Sequence, residues 1–301
     1  MSIAPYLKEI GRGARGAKPL TRAQAGDLFG QVLDGRASDL EVGAFCLAMR
    51  VKGETTAEMA GFLDATHARL QRLPASTRPV VVVPSYNGAR KLPLLTPLLA
   101  LLLAREGLPV LVHGHATEDT RVTAHDVLAR LGVAPRAALA RIECGDVAFV
   151  PTPLLHAGLA RLLDVRRVVG LRNAGHSVVK LMQPVQGAAV VVGSYTHPAF
   201  ATVMAELFAL LGMTALLSRG LEGEVTSDPR RTPQLDGFVR GQPLPLQAQQ
   251  PGTAVEVPGL PTATDAATTA DYTRAVLAGT RPLPAALAAQ VAHLVQLARD
   301  A

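Results

Sequence analysis

Four consecutive valines, Val80 to Val83, form the run that most constrains this chain: it reads as a short buried strand, and Pro84 is expected to close it. An apolar helix follows over 94–104, with Thr96 placed to cap it and Pro97 at its first helical position. Between strand and helix lies a loop that carries Gly88, Arg90 and Lys91. A strand, a glycine-containing loop and a helix start, in that order, form a general device for holding an anion, because unpaired N–H groups point out of the helix start. Here two fixed positive charges are added to it. Phosphate recognition is the expectation.

Ahead of this stretch the pattern is helical. Residues 1–9 read as a short helix and residues 11–18 as a flexible basic loop. Three capping boxes then open three helices: Thr21-x-x-Gln24, Ser38-x-x-Glu41 and Thr55-x-x-Glu58. After Val80 the texture becomes strand–helix alternation. Strands are expected over 110–113, 147–150, 188–192 and 214–217, and helices over 123–131, 153–163, 176–182 and 198–211. Such alternation implies a largely parallel sheet with helices on both faces. Residues 230–261 read as loops with short strands, and 265–278 and 284–299 as closing helices.

At 301 residues, 49% hydrophobic and 18% charged, the chain is a folded globular protein with ample core. Its net charge of +6 favours polyanionic partners. The bias sits early: residues 1–91 carry 13 basic and 8 acidic side chains, whereas 232–301 carry 4 and 5. Cys46 and Cys144 stand far apart without metal spacing, and no apolar signal segment opens the chain. The longest apolar run, 92–104, contains Pro93 and Pro97 and is too short to span a bilayer. A soluble, cytoplasmic protein with no membrane partner is expected. His113, His115 and His125 are not at metal-ligand spacing, and Ser194-Tyr-Thr-His197 has no acid nearby in sequence to complete a triad.

Ile10-Gly-Arg-Gly13, Val51-Lys-Gly-Glu54, Pro84-Ser-Tyr-Asn-Gly-Ala-Arg-Lys91, Leu95-Thr-Pro-Leu-Leu-Ala100, His113-Gly114, Gly170-Leu-Arg-Asn173 and Glu222-Gly-Glu-Val225 together carry a resemblance that covers essentially the whole chain. It resembles the anthranilate phosphoribosyltransferase and pyrimidine nucleoside phosphorylase superfamily (glycosyltransferase family 3). Within that superfamily it is most similar to the YbiB-type DNA-binding proteins, a branch that looks non-enzymatic. The fold class implied is α/β: a small all-helical domain plus a larger α/β domain with a mainly parallel central sheet. The helical domain is expected to be discontinuous, 1–74 with 152–184, and to serve dimerisation; 75–151 with 185–301 form the α/β domain.

Departures from the enzymes are as informative. By resemblance, the enzymes carry Gly-Thr-Gly-Gly-Asp after the first strand, so that bare backbone can wrap a diphosphate; here that position reads Pro84-Ser-Tyr-Asn-Gly88. Their Lys-His-Gly-Asn-Arg, which neutralises the leaving group, corresponds to Val112-His-Gly-His-Ala116. Their magnesium-holding Asp-Glu pair corresponds to Gly223-Glu224. Three losses of charge-neutralising machinery argue against transfer from a diphosphate.

The expected function is sequence-nonspecific binding of nucleic acid, single-stranded DNA first and RNA as the other candidate, by a homodimer through basic inter-domain clefts. Arg12, Arg15, Lys18, Lys52, Arg90, Lys91, Arg172 and Lys180 are the expected contacts. Ser85, Tyr86, Asn87, Gly88 and Thr96 form a vestigial phosphate loop. No catalytic residue, metal ligand or cofactor is assigned. Aromatics are few, with four Tyr, seven Phe and no Trp, which leaves mainly Tyr86, Tyr195 and Tyr6 to stack on bases. Two rivals stand beside this reading. One is a phosphoribosyl- or glycosyltransferase of altered chemistry, using Ser85, Asn87 and Thr96 at the diphosphate and Glu224 at a magnesium ion. The other is a small-molecule sensor that keeps the cleft without chemistry.

Overall fold

The computed structural model describes residues 2–13 and 15–301; Met1, in the expected first helix, and Ala14, in the expected basic loop, lie outside the described residues. In chain order the elements begin with α1 (Ala4–Ile10), α2 (Arg22–Leu33), α3 (Asp39–Lys52) and α4 (Thr56–His67). Then come β1 (Val80–Ser85), α5 (Thr96–Arg105), β2 (Val110–Gly114), α6 (Ala124–Arg130) and β3 (Val147–Pro151). Three helices follow, α7 (Thr152–Leu155), α8 (Ala157–Val169) and α9 (Gly175–Val178), before β4 (Ala189–Tyr195), α10 (Pro198–Leu210) and β5 (Ala215–Arg219). The chain closes with β6 (Leu235–Val239), β7 (Gln242–Gln247), α11 (Ala266–Leu277) and α12 (Ala285–Asp300). They divide between two compact units, Met1–Gln71 with Thr152–Pro184 and Arg72–Pro151 with Val185–Ala301.

In the helical unit all three capping boxes form: Thr21, Ser38 and Thr55 each accept the N–H three residues on, and Gln24, Glu41 and Glu58 reach back. The core is a cluster of three fully buried rings, with Phe29 stacked on Phe62 at 4.6 Å and Phe45 edge-on to both. Such aromatic pairs add about 0.5–1.5 kcal/mol each beyond the area they bury. α2 and α4 approach backbone to backbone because Gly26 and Gly61 face each other; a Cβ on Gly61 would stand 2.8 Å from the Gly26 nitrogen. The single helix expected over 153–163 is two. His156 breaks it at φ −163°, ψ 94°, and its Nδ1 accepts the Leu159 N–H at 3.1 Å to cap α8.

The second unit holds a seven-stranded sheet in the order β3-β2-β1-β4-β5-β6-β7, parallel through β5 and antiparallel thereafter. Val190 and Val192 on β4 face the apolar core shared with α5, α11 and α12, while Gly193 lies under Phe208 of α10. Neighbouring residues of a strand point to opposite faces, so helices cover both sides of the sheet. The fold class expected from the sequence is the one observed.

β1 corrects one expectation, because Pro84 does not close the strand; pairing with β2 runs on through Pro84 to Ser85. Val81 N–H bonds toward β2 and Val80 N–H toward β4, so by alternation Pro84 turns its missing N–H toward β4. Pairing with β4 has ended by then, at Val82. No ladder bond is lost, which is the condition under which a strand tolerates proline.

Candidate functional site

The sheet order places a topological switch point between β1 and β4, where the chain's outward progress through β2 and β3 reverses. In open α/β sheets the crevice at the carboxyl ends of such strands is the usual ligand site. Loop 85–91 leaves β1 at that place. Gly88 makes its turn at φ +68°, and a Cβ there would stand 2.6 Å from the Val122 carbonyl oxygen.

Ser85, Tyr86, Asn87, Gly88 and Thr96, expected to form a vestigial phosphate loop, converge on one side chain, Glu224, to which the sequence assigns no such place. Oε1 of Glu224 accepts the N–H groups of Tyr86 at 3.1 Å, Asn87 at 2.7 Å and Gly88 at 3.0 Å. Oε2 accepts the hydroxyls of Ser85 at 2.7 Å and Thr96 at 2.9 Å. Glu224 is 2% exposed. Consecutive N–H groups curved round one acceptor form a nest of the kind that binds anions, and here the anion is the protein's own carboxylate. Thr96 therefore does not cap α5. Leu95 occupies the N-cap without a side-chain bond, and the Thr96 hydroxyl is spent on Glu224.

The rest of the loop is satisfied in the same way. Ala89 N–H donates to the Val122 carbonyl at 2.8 Å. Glu222 accepts Arg90 N–H at 2.8 Å and Lys91 N–H at 2.9 and 3.1 Å. All six amides from 86 to 91 thus have internal acceptors. Glu222, which the sequence places in a matched motif without a role, sits at φ +54°, a left-handed conformation that costs a non-glycine residue about 1–2 kcal/mol. Arg121, missed by the sequence reading, steadies the loop by donating to the Asn87 carbonyl at 3.1 Å. Contacts made across 131 to 139 positions leave no local pattern to find.

The side chains of Arg90 and Lys91 are exposed and form no ion pair among the described residues. Tyr86 is not available to stack on a base. It is buried, and its hydroxyl shares a 2.7 Å hydrogen bond with Nδ1 of His113, whose imidazole burial pushes down to about 3. The residues at the magnesium position do not fit a metal ion: Gly223 brings no carboxylate, both oxygens of Glu224 are engaged, and the described residues hold no cluster of three His, Cys, Asp or Glu that could ligate one.

The other expected contacts are placed unequally. Arg15 and Lys18 are exposed, whereas Arg12 pairs with Glu9 at 2.7 Å. Lys52 is withdrawn: its ammonium donates to Glu58 at 2.6 Å and to the Gly53 carbonyl, with the side chain 8% exposed. Burial of an apolar stem beside a fully buried carboxylate took it from the surface. Arg172 and Lys180 gather near His176 together with Arg166, which the sequence reading passed over; burial first, then these three charges, push His176 down to about 3. Arg166 belongs to the last turn of α8, before the left-handed Gly170 cap, where a cation is favoured.

Comparison with known proteins agrees with this architecture. Residues 4–69 match the family model for the glycosyl transferase family, helical bundle domain. The chain belongs to the anthranilate phosphoribosyltransferase-like family, glycosyltransferase family 3. It is 38% identical over 299 residues to the uncharacterized protein YbiB of Escherichia coli (strain K12), spanning 97% of this chain and 93% of that one. To the anthranilate phosphoribosyltransferase of Methylobacterium sp. (strain 4-46) it is 30% identical over 292 residues, 93% of this chain and 84% of that one. In fold it superposes on the anthranilate phosphoribosyltransferase of Thermus thermophilus with a TM-score of 0.73 at 22% identity, covering 97% of this chain and 87% of that one. The Saccharomyces cerevisiae anthranilate phosphoribosyltransferase in complex with PRPP and Mg gives 0.69 at 16% identity, over 99% and 88%. No helix among the described residues is long and apolar enough to cross a membrane.

Proposed function

We propose that this protein has given up phosphoribosyl transfer and binds the phosphate backbone of nucleic acid, single-stranded DNA first and RNA as the other candidate. The observation that carries this is the closure of loop 85–91: its six amides are turned inward onto Glu222, Glu224 and Val122, and what the loop offers outward is the Arg90 and Lys91 side chains. Point charges without bare backbone suit a polymer of phosphates better than one chelated diphosphate. Arg172 and Lys180 with Arg166, and Arg15 with Lys18, are the further contacts in this reading. With Tyr86 buried, little remains to read bases, so binding is sequence-tolerant and salt-dependent.

The reading includes a homodimer in the cytoplasm. Leu40, Leu47 and Val51 on α3 are 85%, 52% and 58% exposed and share one helix face, which fits a subunit contact. A dimer would let one strand engage two basic sites, raising apparent affinity by roughly 100-fold or more where geometry permits.

The test is fluorescence anisotropy of unrelated single-stranded oligonucleotides across a salt series. The double variant Arg90→Ala with Lys91→Ala should weaken all of them alike and flatten the plot of log affinity against log salt by about 1.4 for each subunit the strand engages, two charges at about 0.7 each. No oligonucleotide binding by the parent protein in dilute buffer would end this reading.

A second reading, phosphoribosyl transfer, is favoured by the 30% identity to a named anthranilate phosphoribosyltransferase along nearly the whole chain. Under it magnesium and a diphosphate would have to draw Glu224 out of the cradle. Release of diphosphate from phosphoribosyl diphosphate in the presence of magnesium, with anthranilate and other amines as acceptors, decides between them.

A further inference from the structure

We propose that Glu224 is a resident oxyanion: an autoinhibitory carboxylate that closes the 85–88 cradle to free phosphate and diphosphate. Three amides and two hydroxyls converge on its two oxygens at 2.7 to 3.1 Å, and it is 2% exposed. These are the donors a phosphate would need, in the arrangement that binds one. A competitor built into the chain acts at an effective concentration of at least about millimolar, and higher when held rigidly, so a free anion must exceed that to enter.

The closure is also fastened beside the cradle. Glu222, two residues earlier on the same turn, holds the Arg90 and Lys91 amides, and Asn87 Nδ2 donates to the carbonyl of the intervening Gly223. Glu224 cannot leave without loosening contacts to at least three other loop residues. Five donors converging on one carboxylate make a latent oxyanion site, uncovered by removal of that carboxylate. The inference does not rest on nucleic-acid binding, because the Arg90 and Lys91 side chains leave the loop on its outer side whether or not a polymer uses them.

The experiment compares the full-length parent with E224A by titration calorimetry and thermal melting, adding inorganic phosphate against sodium chloride of equal ionic strength. E224A should melt below the parent and recover saturably with phosphate, binding it at least tenfold more tightly than the parent does. Parent protein that binds phosphate as tightly as E224A, or a natively folded E224A that gains no affinity, would overturn the proposal. Should E224A not fold, amide exchange on the parent decides: the Tyr86, Asn87 and Gly88 amides should be protected and unmoved by inorganic phosphate or diphosphate. Protection that changes saturably with either anion would show the cradle already open. Neither readout involves an oligonucleotide, so failure here and failure of the proposed function are separate results.

Discussion

Asn87 and Gly223 are fitted to each other: the Asn87 carboxamide donates to the Gly223 carbonyl from the space that a Cβ on residue 223 would fill. Gly223 also sits at φ +86°, where L side chains are strained. The two departures that the resemblance to the enzymes implies, at Asn87 and Gly223, are therefore coupled. Restoring the acid alone is blocked. G223D should lose about 3 kcal/mol, from about 1–2 kcal/mol of left-handed strain and about 1–3 of overpacking. Adding N87G removes the overlap and leaves the strain, so the double variant should be more stable than the sum of the singles predicts. Urea denaturation of the four proteins measures this coupling; strict additivity would contradict the fit.

Lys52 and Glu58 provide a second test, since sequence reading placed Lys52 on a nucleic acid and the structure buries it against Glu58 at 2.6 Å. Glu58 also accepts the N–H of Leu20 and of Thr55, so it ties three segments of the helical unit together. Removing one partner of a buried ion pair typically costs about 3–5 kcal/mol, because the other charge is left uncompensated. K52M should fall in that range by urea denaturation. Its affinity for oligonucleotides, measured at low temperature where it stays folded, should match the parent's.

Three buried histidines set the acid limit. Burial pushes His113 and His176 down to about 3 and His156 to about 4, with Arg69 adding to the last and Arg172, Arg166 and Lys180 to His176. In the unfolded chain each takes up a proton near 6.5, while the folded chain stays neutral. Above pH 6.5 neither state binds protons there, and stability does not depend on these groups. Below it the unfolded state binds more, so stability falls by about 1.4 kcal/mol per pH unit for each histidine, about 4 for the three, until the folded values are reached. Glu54 works the other way, its carboxyl raised by burial. Urea midpoints at pH 7, 6 and 5 should therefore drop steeply below 6.5. H176Q should remove about a third of that slope; an unchanged slope would mean His176 titrates normally in the fold.

What the sequence made legible was local. Thr21, Ser38 and Thr55 declare their helices because a capping box needs only four consecutive residues. The valine run declares β1 by composition, and the alternation after it declares the parallel sheet. Thr96 was misread for the opposite reason: it has the right residue type beside Pro97 for a cap, but Glu224, 128 positions away, takes its hydroxyl. Pro84 stays in the strand only because β4 has stopped pairing, a fact about a neighbour about 100 residues on. Lys52 looked like surface charge because nothing adjacent shows that Glu58 is fully buried. The loop was recognisable as an anion site, but its anion was not, since Glu222 and Glu224 reach it only once the sheet is assembled.

Glu222 gives the sharpest separation between simple charge and geometry. Replacing it with glycine raises the net charge by one and relieves the strain of its φ of +54°. Coulomb attraction alone would then tighten nucleic-acid binding. But Glu222 is also what holds the Arg90 and Lys91 amides, at 2.8 and 2.9 Å, and so keeps two neighbouring cations presented together. Freed, those residues must be re-ordered on binding, at about 1–2 kcal/mol of backbone entropy for each residue fixed. The lost carboxylate is solvent-screened and returns less than about 1 kcal/mol. E222G should therefore bind oligonucleotides at least about fivefold more weakly, because about 2–4 kcal/mol for two residues less under about 1 leaves at least about 1 kcal/mol. The salt slope should stay as it is, because the same phosphates are neutralised once bound. Anisotropy at three salt concentrations reads both quantities, and tighter binding by E222G would show that Arg90 and Lys91 need no positioning.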